Sequence, residues 1–177
     1  MKEAEVSIRT ALHYIVNGDT EDDVDVAIDG AQVKTKAEVH FEIEKFMIKI
    51  GAVKDENIDN SWQGRYSIEN FTAGINIHSG SGKGDVVVKL KSSRLLFVES
   101  KGFEIDGNRS KEYPKMREAI GQLMTCPHYS DNVDLAVAAP DSLKSRELVE
   151  RWSKLFLMRQ AKIKFILVAR DGTVTIL

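Results

Sequence analysis

Residues 84–101 contain two apolar runs separated by a short polar segment, which predicts a β-hairpin with strands at 84–90 and 94–101. Neighbouring side chains of a strand point to opposite faces of its sheet. In the second run both alternating sets of side chains are mostly apolar, which is typical of a strand that is covered on both faces. The chain must therefore build a layered sheet around this hairpin, with the second strand near its centre.

The hairpin loop decides which polar side chains share a face at the end of the two strands. Directly opposed residues of an antiparallel pair lie on the same face. A three-residue loop at 91–93 places Asp85 opposite Glu99, whereas a two-residue loop places it opposite Ser100. Two-residue loops favour glycine or asparagine, and 91–93 contains neither, so we predict the three-residue loop. Asp85, Glu99 and Lys101 then converge on one face.

These side chains suit metal-assisted hydrolysis of a phosphodiester. Two neighbouring carboxylates bind a hard cation such as Mg²⁺, with Mn²⁺ as a substitute, and the backbone carbonyl of Ser100 can add a third ligand. A bound metal ion lowers the pKa of a water molecule and polarises phosphoryl oxygens. Lys101 would lie beside the attacked phosphate, where its ammonium group orients the attacking water and stabilises the developing charge. The alternative interpretation is a surface ion pair at the end of a strand.

The spacing of these residues resembles a known nuclease signature. Asp85 and the Glu-Ser-Lys run 99–101, fourteen residues later, are similar to the D-(x)n-E-x-K motif of the PD-(D/E)XK nuclease superfamily. Gly84 stands where that family has a proline. The resemblance implies an α/β, restriction-endonuclease-like fold, in which a mixed central sheet with an αβββαβ core is flanked by helices. It also implies a Mg²⁺-dependent deoxyribonuclease that cleaves DNA phosphodiester bonds.

A helix before the hairpin supplies a further candidate, Glu42. A capping-box pattern at Thr35 and Glu38 predicts the start of a helix that runs to about Ile50. Its apolar residues recur every three or four positions, and Glu42 lies at the border of that apolar face. By position, Glu42 resembles the first-helix glutamate that leans over the metal site in several branches of the superfamily, which implies a catalytic and metal-assisting role. A solvated helix flank is the alternative.

A helix after the hairpin supplies another candidate, Gln122. The helix is predicted to begin near Pro114, with an inner face formed by Met116, Ala119, Ile120, Leu123 and Met124. Gln122 resembles the glutamine that many superfamily members carry on the helix after the E-x-K strand. RecB-like members pair it with a tyrosine four residues later, where this chain has Cys126. Both a site position and a surface position stay open for Gln122.

The remaining pattern predicts the domain organisation. A helix is expected at about 143–160, with Leu155 and Phe156 among its inward residues, and strands at 65–68, 71–78, 133–139, 163–169 and 173–177. From residue 35 onward this order matches the αβββαβ core that the resemblance implies, so we assign residues 35–177 to a nuclease-like domain. Residues 1–34, with a predicted helix at 3–16 and a strand at 24–28, form an N-terminal helical extension. It is either an added arm or an element that forms a homodimer.

The charge distribution favours a polyanionic partner at the hairpin. The net charge is −2, but residues 1–60 hold fourteen acidic and seven basic residues. Residues 83–117 hold nine basic and five acidic residues, a surplus of four positive charges. We therefore expect DNA to bind beside the predicted site, in a salt-sensitive manner. The candidate DNA-binding residues are Lys83, Arg109, Lys111, Lys115 and Arg117.

Composition bounds the remaining functions. The sequence has no apolar run of the roughly 20 residues that span a bilayer and no signal peptide, and its one cysteine suits a reducing compartment, so we expect a cytoplasmic protein. Two functions are considered, a metal-dependent endonuclease and a catalytically idle scaffold of the same fold that acts as a protein- or DNA-binding module. The intact Asp, Glu and Lys favour the nuclease.

Overall fold

The structure, a computed structural model, describes residues 1–36, 38–55, 61–80, 82–104 and 111–177. The helices in this part of the chain are Glu3–Val16 (α1), Gly30–Val33 (α2), Ile43–Lys49 (α3), Glu112–Met124 (α4), Leu143–Trp152 (α5) and Phe156–Ala161 (α6). The strands are Val24–Ala27 (β1), Lys34–Thr35 (β2), Glu38–Val39 (β3), Ala52–Lys54 (β4), Gly64–Ile68 (β5), Ile75–His78 (β6), Val86–Lys89 (β7), Leu95–Ser100 (β8), Val133–Pro140 (β9), Lys164–Val168 (β10) and Val174–Ile176 (β11). None of the helices described is long and apolar enough to cross a membrane.

The hairpin of β7 and β8 forms with the predicted three-residue loop. Val86 pairs with Val98, and the backbone N–H of Leu90 donates to the carbonyl of Arg94 over 2.9 Å, so residues 91–93 form the loop. Ser93 ends it with a positive φ of 63°, as expected for three-residue loops. This confirms the predicted loop and the pairing of Val86 with Val98; next to that pair, the Asp85 N–H donates to the carbonyl of Val98 over 2.9 Å.

The hairpin lies inside a mixed sheet. The described strands of this sheet follow the order β11-β10-β9-β8-β7-β1-β6-β5-β4. β8 pairs in parallel with β9, and α4 makes the crossover between them, whereas β7 pairs antiparallel with both β8 and β1. The mixed α/β class and the central position of β8 are therefore as predicted.

Helices cover both faces of the sheet, because alternate residues of the central strands are apolar on each face. α1 packs on one face, where Val6, Ile8 and Ile15 meet Leu96 and Val98 in one core. α4 and α5 pack on the other face, where Met116, Ala119 and Leu123 of α4 meet Phe97 of β8. Glu99 and Lys101 alternate with the residues that face α1, so they lie on the α4 face.

The N-terminal residues belong to this sheet and its core. The helix predicted at 3–16 is α1, and the strand predicted at 24–28 is β1, which pairs with β6 on one side and β7 on the other. Residues 1–34 therefore supply a central strand and the helix that covers it, and the core is continuous across the predicted boundary at residue 34.

The prediction of a helix that starts at Thr35 is wrong for its first half. β2 and β3 pair as a small antiparallel hairpin instead, and α3 begins only at Ile43. Lys36 has a positive φ of 54°, and the backbone N–H of His40 donates to the carbonyl of Val33 over 2.8 Å. The chain thus turns back on Val33 and satisfies its backbone groups without a helix, so a capping-box pattern alone was misleading here.

The helix predicted at 143–160 is divided in two. Ser142 caps the start of α5, because its hydroxyl accepts from the backbone N–H of Ser145 over 3.0 Å. α5 ends at Trp152 and α6 follows, so the inward positions predicted for Leu155 and Phe156 are wrong, and these side chains are 50% and 65% exposed. In α4 the inner face is as predicted apart from Met124, which is exposed.

A substitution at Ser93 tests whether the loop holds the register. A β-branched residue at positive φ is sterically disfavoured by roughly 1–2 kcal/mol. We expect Ser93→Val to lower the free energy of unfolding by about that amount in urea denaturation. Ser92→Val, in the same exposed loop but outside the positive-φ position, should change it by less than about 0.5 kcal/mol. Equal effects of the two substitutions would contradict this assignment.

Candidate functional site

Asp85 and Glu99 meet at the edge of a cavity of about 420 Å³, which we call the carboxylate cavity. The backbone N–H of Ser100 donates to Asp85 Oδ2 over 2.8 Å, which fixes the Asp85 carboxylate beside the end of β8. The cavity is formed by the end of β1, the loop before β7, and the end of α4, and its lining includes Ala27, Asp29, Gln32, Gly80, Lys83, Asp85, Glu99, Gln122, Leu123 and Cys126.

The two carboxylates are held in an environment that disfavours two negative charges. Burial, with the neighbouring Glu99 carboxylate, raises the pKa of Asp85 to about 7, against the lowering effect of the Ser100 N–H. Burial also raises the pKa of Glu99, although Lys101 opposes that shift. A protein that keeps two acids together in this way benefits from a bound cation, because the cation offsets both the burial and the mutual repulsion.

Lys101 is buried among carboxylates. Its side chain is 5% exposed, and Nζ donates to Glu99 Oε1 over 3.2 Å. Glu118 Oε1 of α4 lies 3.4 Å from the same nitrogen. Burial would lower the pKa of the Lys101 ammonium, but the carboxylates of Glu3 and Glu99 raise it by more, so the net shift is upward. Lys101 is therefore a fixed positive charge at the carboxylate pair.

Glu3 reaches the site from the first turn of α1. Its Oε2 accepts from the backbone N–H of Gly102 over 3.3 Å, and its Oε1 accepts from the side-chain amide of Gln32 over 2.8 Å. The end of β8 packs tightly on the start of α1, since a Cβ at Gly102 would lie 2.3 Å from the Glu3 nitrogen. Sequence reasoning missed Glu3, because α1 was predicted correctly but assigned to an extension.

Lys83 and Gln122 line the carboxylate cavity. Gln122 is exposed on α4, four residues after Glu118, so both lie on the side of α4 that faces the site. Glu118 itself was not predicted, although its spacing from Gln122 was a usable signal. Gly84 has a φ of +128° and approaches the Val98 carbonyl so closely that a Cβ would lie 2.9 Å from the oxygen. Proline cannot adopt that φ, so a proline at position 84 is incompatible with this backbone conformation.

The structure does not bring Glu42 to this site. Glu42 is the residue before α3, its side chain is 56% exposed, and Oε1 pairs with Lys45 Nζ over 2.7 Å. It lines a different cavity, beside Phe41 and Trp62. The helix prediction placed Glu42 in the wrong element, since the first long helix of the fold is α1 and the glutamate that it presents to the site is Glu3.

The predicted DNA-binding residues are divided among three places. Lys83 lines the carboxylate cavity, and Lys111 and Lys115 line a neighbouring cavity of about 650 Å³. The guanidinium carbon of Arg117 lies 5.3 Å from the centre of the Tyr113 ring. Arg109 lies outside the residues that the structure describes.

Two carboxylates and one backbone carbonyl at this site are donor groups of the kind that bind Mg²⁺. Among the described residues, no three or more Asp, Glu, His or Cys side chains form a group that could hold a metal ion. A residue's N–H and C=O point towards the same neighbouring strand, so the Ser100 carbonyl lies on the side of Asp85. Mg²⁺ is commonly held by one or two carboxylates and keeps several waters, so Asp85, Glu99 and this carbonyl form a suitable set.

Comparison of the chain with protein-family models, with curated proteins and with solved structures finds no match. The site's function is therefore argued from its own geometry.

The raised pKa of Asp85 gives a stability prediction for the metal-free protein. The folded state binds more protons than the unfolded state between about pH 4 and pH 7, so the free energy of unfolding falls as the pH rises through that interval. Asp85→Asn keeps an acceptor for the Ser100 N–H but cannot ionise. We expect its stability relative to the unmodified protein to increase by about 2–4 kcal/mol from pH 4 to pH 8.

Urea denaturation in EDTA at the two pH values measures this change. Asp22→Asn, at an exposed ion pair with Lys89, should show a change of less than about 1 kcal/mol. A relative stability of Asp85→Asn that is independent of pH would show that this carboxylate is not held in a disfavourable environment.

Proposed function

We propose that this protein is a Mg²⁺-dependent deoxyribonuclease of the PD-(D/E)XK type. The observation that carries the proposal is the end of the β7–β8 hairpin, where the Ser100 N–H donates to the Asp85 carboxylate, Asp85 and Glu99 line one cavity, and Lys101 is bonded to Glu99. Two acids and a lysine at the end of a buried strand are costly unless they are used together. Phosphodiester hydrolysis uses all three.

The topology supports the same proposal. α1, β1, β7, β8, α4 and β9 follow one another along the chain in the order αβββαβ, with β1, β7, β8 and β9 adjacent in the sheet. The residues between β1 and β7 form an insertion that extends the sheet through β6, β5 and β4, and β10 and β11 extend the other edge. We interpret the nine-stranded sheet as a restriction-endonuclease-like core with additions at both edges.

Each residue of the site has a role in this proposal. Asp85, Glu99 and the Ser100 carbonyl would hold the cation, which when bound supplies Lewis-acid polarisation of the phosphate and a water of lowered pKa. Lys101 presents a fixed ammonium group to the charge that develops on the phosphate oxygens and to the attacking water. Glu118 keeps an acceptor next to the ammonium of Lys101, so that this group stays in place.

Residues around the carboxylate pair would bind and orient the DNA. Lys83 lies on the loop before β7 and offers a positive charge to a phosphate in the cavity. Gln122 offers an amide that can donate to a phosphate or accept from a water molecule. Glu3, through its bonds to Gly102 and Gln32, holds the start of α1 against the end of β8.

One observation supports a second candidate, an idle scaffold of this fold that binds protein or DNA. Within the described residues the site offers two carboxylates rather than a group of three or more ligating side chains. Such a scaffold would bind its partner without cleavage, and its Lys101 would serve only to neutralise buried acids.

A cleavage assay separates the two functions. Supercoiled plasmid, branched DNA and circular single-stranded DNA are incubated with the purified protein and Mg²⁺ or Mn²⁺. We expect at least one substrate to be cut, and Lys101→Met to lower that rate by about 10²-fold or more, because the cation that faces the developing charge is lost. The long apolar part of methionine replaces the buried lysine chain, and circular dichroism checks that the variant, in which Glu99 loses its ion pair, is folded.

Glu42→Gln is the matched control, since it also removes one charge but lies outside the site, and its rate should stay within about threefold of the unmodified protein. Cleavage that proceeds equally in Lys101→Met would show that Lys101 has no part in the reaction. Absence of cleavage on every substrate would favour the idle scaffold.

A further inference from the structure

A second cavity lies next to the carboxylate cavity and meets it at Gln32. We call it the lysine cavity, and its lining includes Lys2, Glu3, Glu5, Gln32, His40, Gly102, Glu104, Lys111 and Lys115. Gln32 lines both cavities, and its amide donates to Glu3 Oε1 over 2.8 Å. Glu3 in turn accepts from the backbone N–H of Gly102, the residue after Lys101. The boundary between the cavities therefore lies directly beside the reacting groups.

Three lysine side chains place positive charge in the lysine cavity. Within the described part of the chain, Lys2, Lys111 and Lys115 form no ion pair, whereas lysines elsewhere, such as Lys144 and Lys154, are paired with glutamates. The acids that line the cavity are Glu3, Glu5 and Glu104; Glu5 pairs with Arg9 over 3.0 Å, and Glu3 accepts from Gln32 and Gly102 on the side of the carboxylate cavity.

The size of the carboxylate cavity restricts what can reach the acids. A volume of about 420 Å³ belongs to the range that holds one small molecule, so the cavity can take up a nucleotide-sized piece of chain. Glu99 is only 8% exposed and Lys101 only 4%, so the scissile phosphate must enter the cavity to meet them. A single strand can do this because its backbone is not held in a helix.

We propose, on the basis of the nuclease function above, that the substrate is single-stranded DNA that occupies both cavities. The scissile phosphate lies in the carboxylate cavity, the strand crosses the Gln32–Glu3 bond, and the flanking phosphates bind Lys111 and Lys115 in the lysine cavity. Lys111 directly precedes α4 and Lys115 lies in its first turn, where the Lys115 N–H donates to the Lys111 carbonyl over 3.2 Å, and both side chains line the lysine cavity.

Binding in EDTA tests this proposal without cleavage. The probes are fluorescently labelled oligothymidylates of 4–16 nucleotides and a duplex of the longest length, and affinity is measured by fluorescence anisotropy at several salt concentrations. For the unmodified protein we expect affinity to increase with strand length and the duplex to bind at least tenfold more weakly than the equal-length strand. Lys111→Ala/Lys115→Ala should lose most of the gain with length.

The salt dependence gives the sharpest comparison. Each phosphate contact of a single strand contributes about 0.7 to the slope of log K against log salt, so the double variant should lose about 1.4 from that slope. The control Lys144→Ala/Lys154→Ala also removes two positive charges, from exposed lysines in α5 and just after it that are paired with glutamates. Its slope should stay within about 0.3 of the slope of the unmodified protein. Circular dichroism confirms that both double variants are folded.

Two results would overturn the inference: a slope and length dependence that are the same in both double variants, or a duplex that binds as tightly as the single strand. Neither result concerns cleavage, which is measured separately with Mg²⁺. If the protein cleaves DNA but shows either of these two binding results, only the single-strand inference is refuted. If it binds the single strand as expected but cleaves no substrate, the nuclease function is refuted.

Discussion

The pairing of Val86 with Val98 is the contact on which the site depends, because it brings Asp85 to the end of β8, where the Ser100 N–H donates to the Asp85 carboxylate. A slip of one residue would turn one of the two acids to the opposite face. The three-residue loop with Ser93 at positive φ and the apolar residues on both faces of β8 hold this register. The sheet therefore accepts two buried acids at its centre, with Lys101 as their fixed counter-charge.

The other elements complete the site from both faces of the sheet. α4 packs on the face of Glu99 and brings Glu118 to Lys101 and Gln122 to the carboxylate cavity. α1 packs on the opposite face, and its first turn reaches around the end of β8, where Glu3 bonds to Gly102. α2, which follows β1, contributes Gln32, which lines both the carboxylate cavity and the lysine cavity. α1, α2 and α4, which are far apart in sequence, thus all place side chains at the end of β8.

The sequence predicted the parts of this arrangement that local rules decide. Strand alternation and the absence of glycine or asparagine in the loop gave the hairpin and its register, and with them Asp85, Glu99 and Lys101. It could not predict Glu3, because which helix lies beside β8 is decided by long-range packing rather than by local pattern. Glu42 was misplaced for a related reason: the backbone N–H groups of His40 and Phe41 donate to the carbonyl of Val33, and α3 begins only at Ile43. The division of 143–160 at Trp152 has no clear signal in the apolar spacing.

The central claim is that Asp85 and Glu99 bind one cation together, and calorimetric titration with Mn²⁺ and Mg²⁺ tests it most directly. Asp85→Asn, Glu99→Gln and the double variant are compared with the unmodified protein. If one ion is shared, each single substitution should weaken binding at least tenfold, and the double variant should bind little more weakly than either, since the pair acts as a unit. Losses that simply add, or a metal affinity unchanged in Asp85→Asn, would contradict the account.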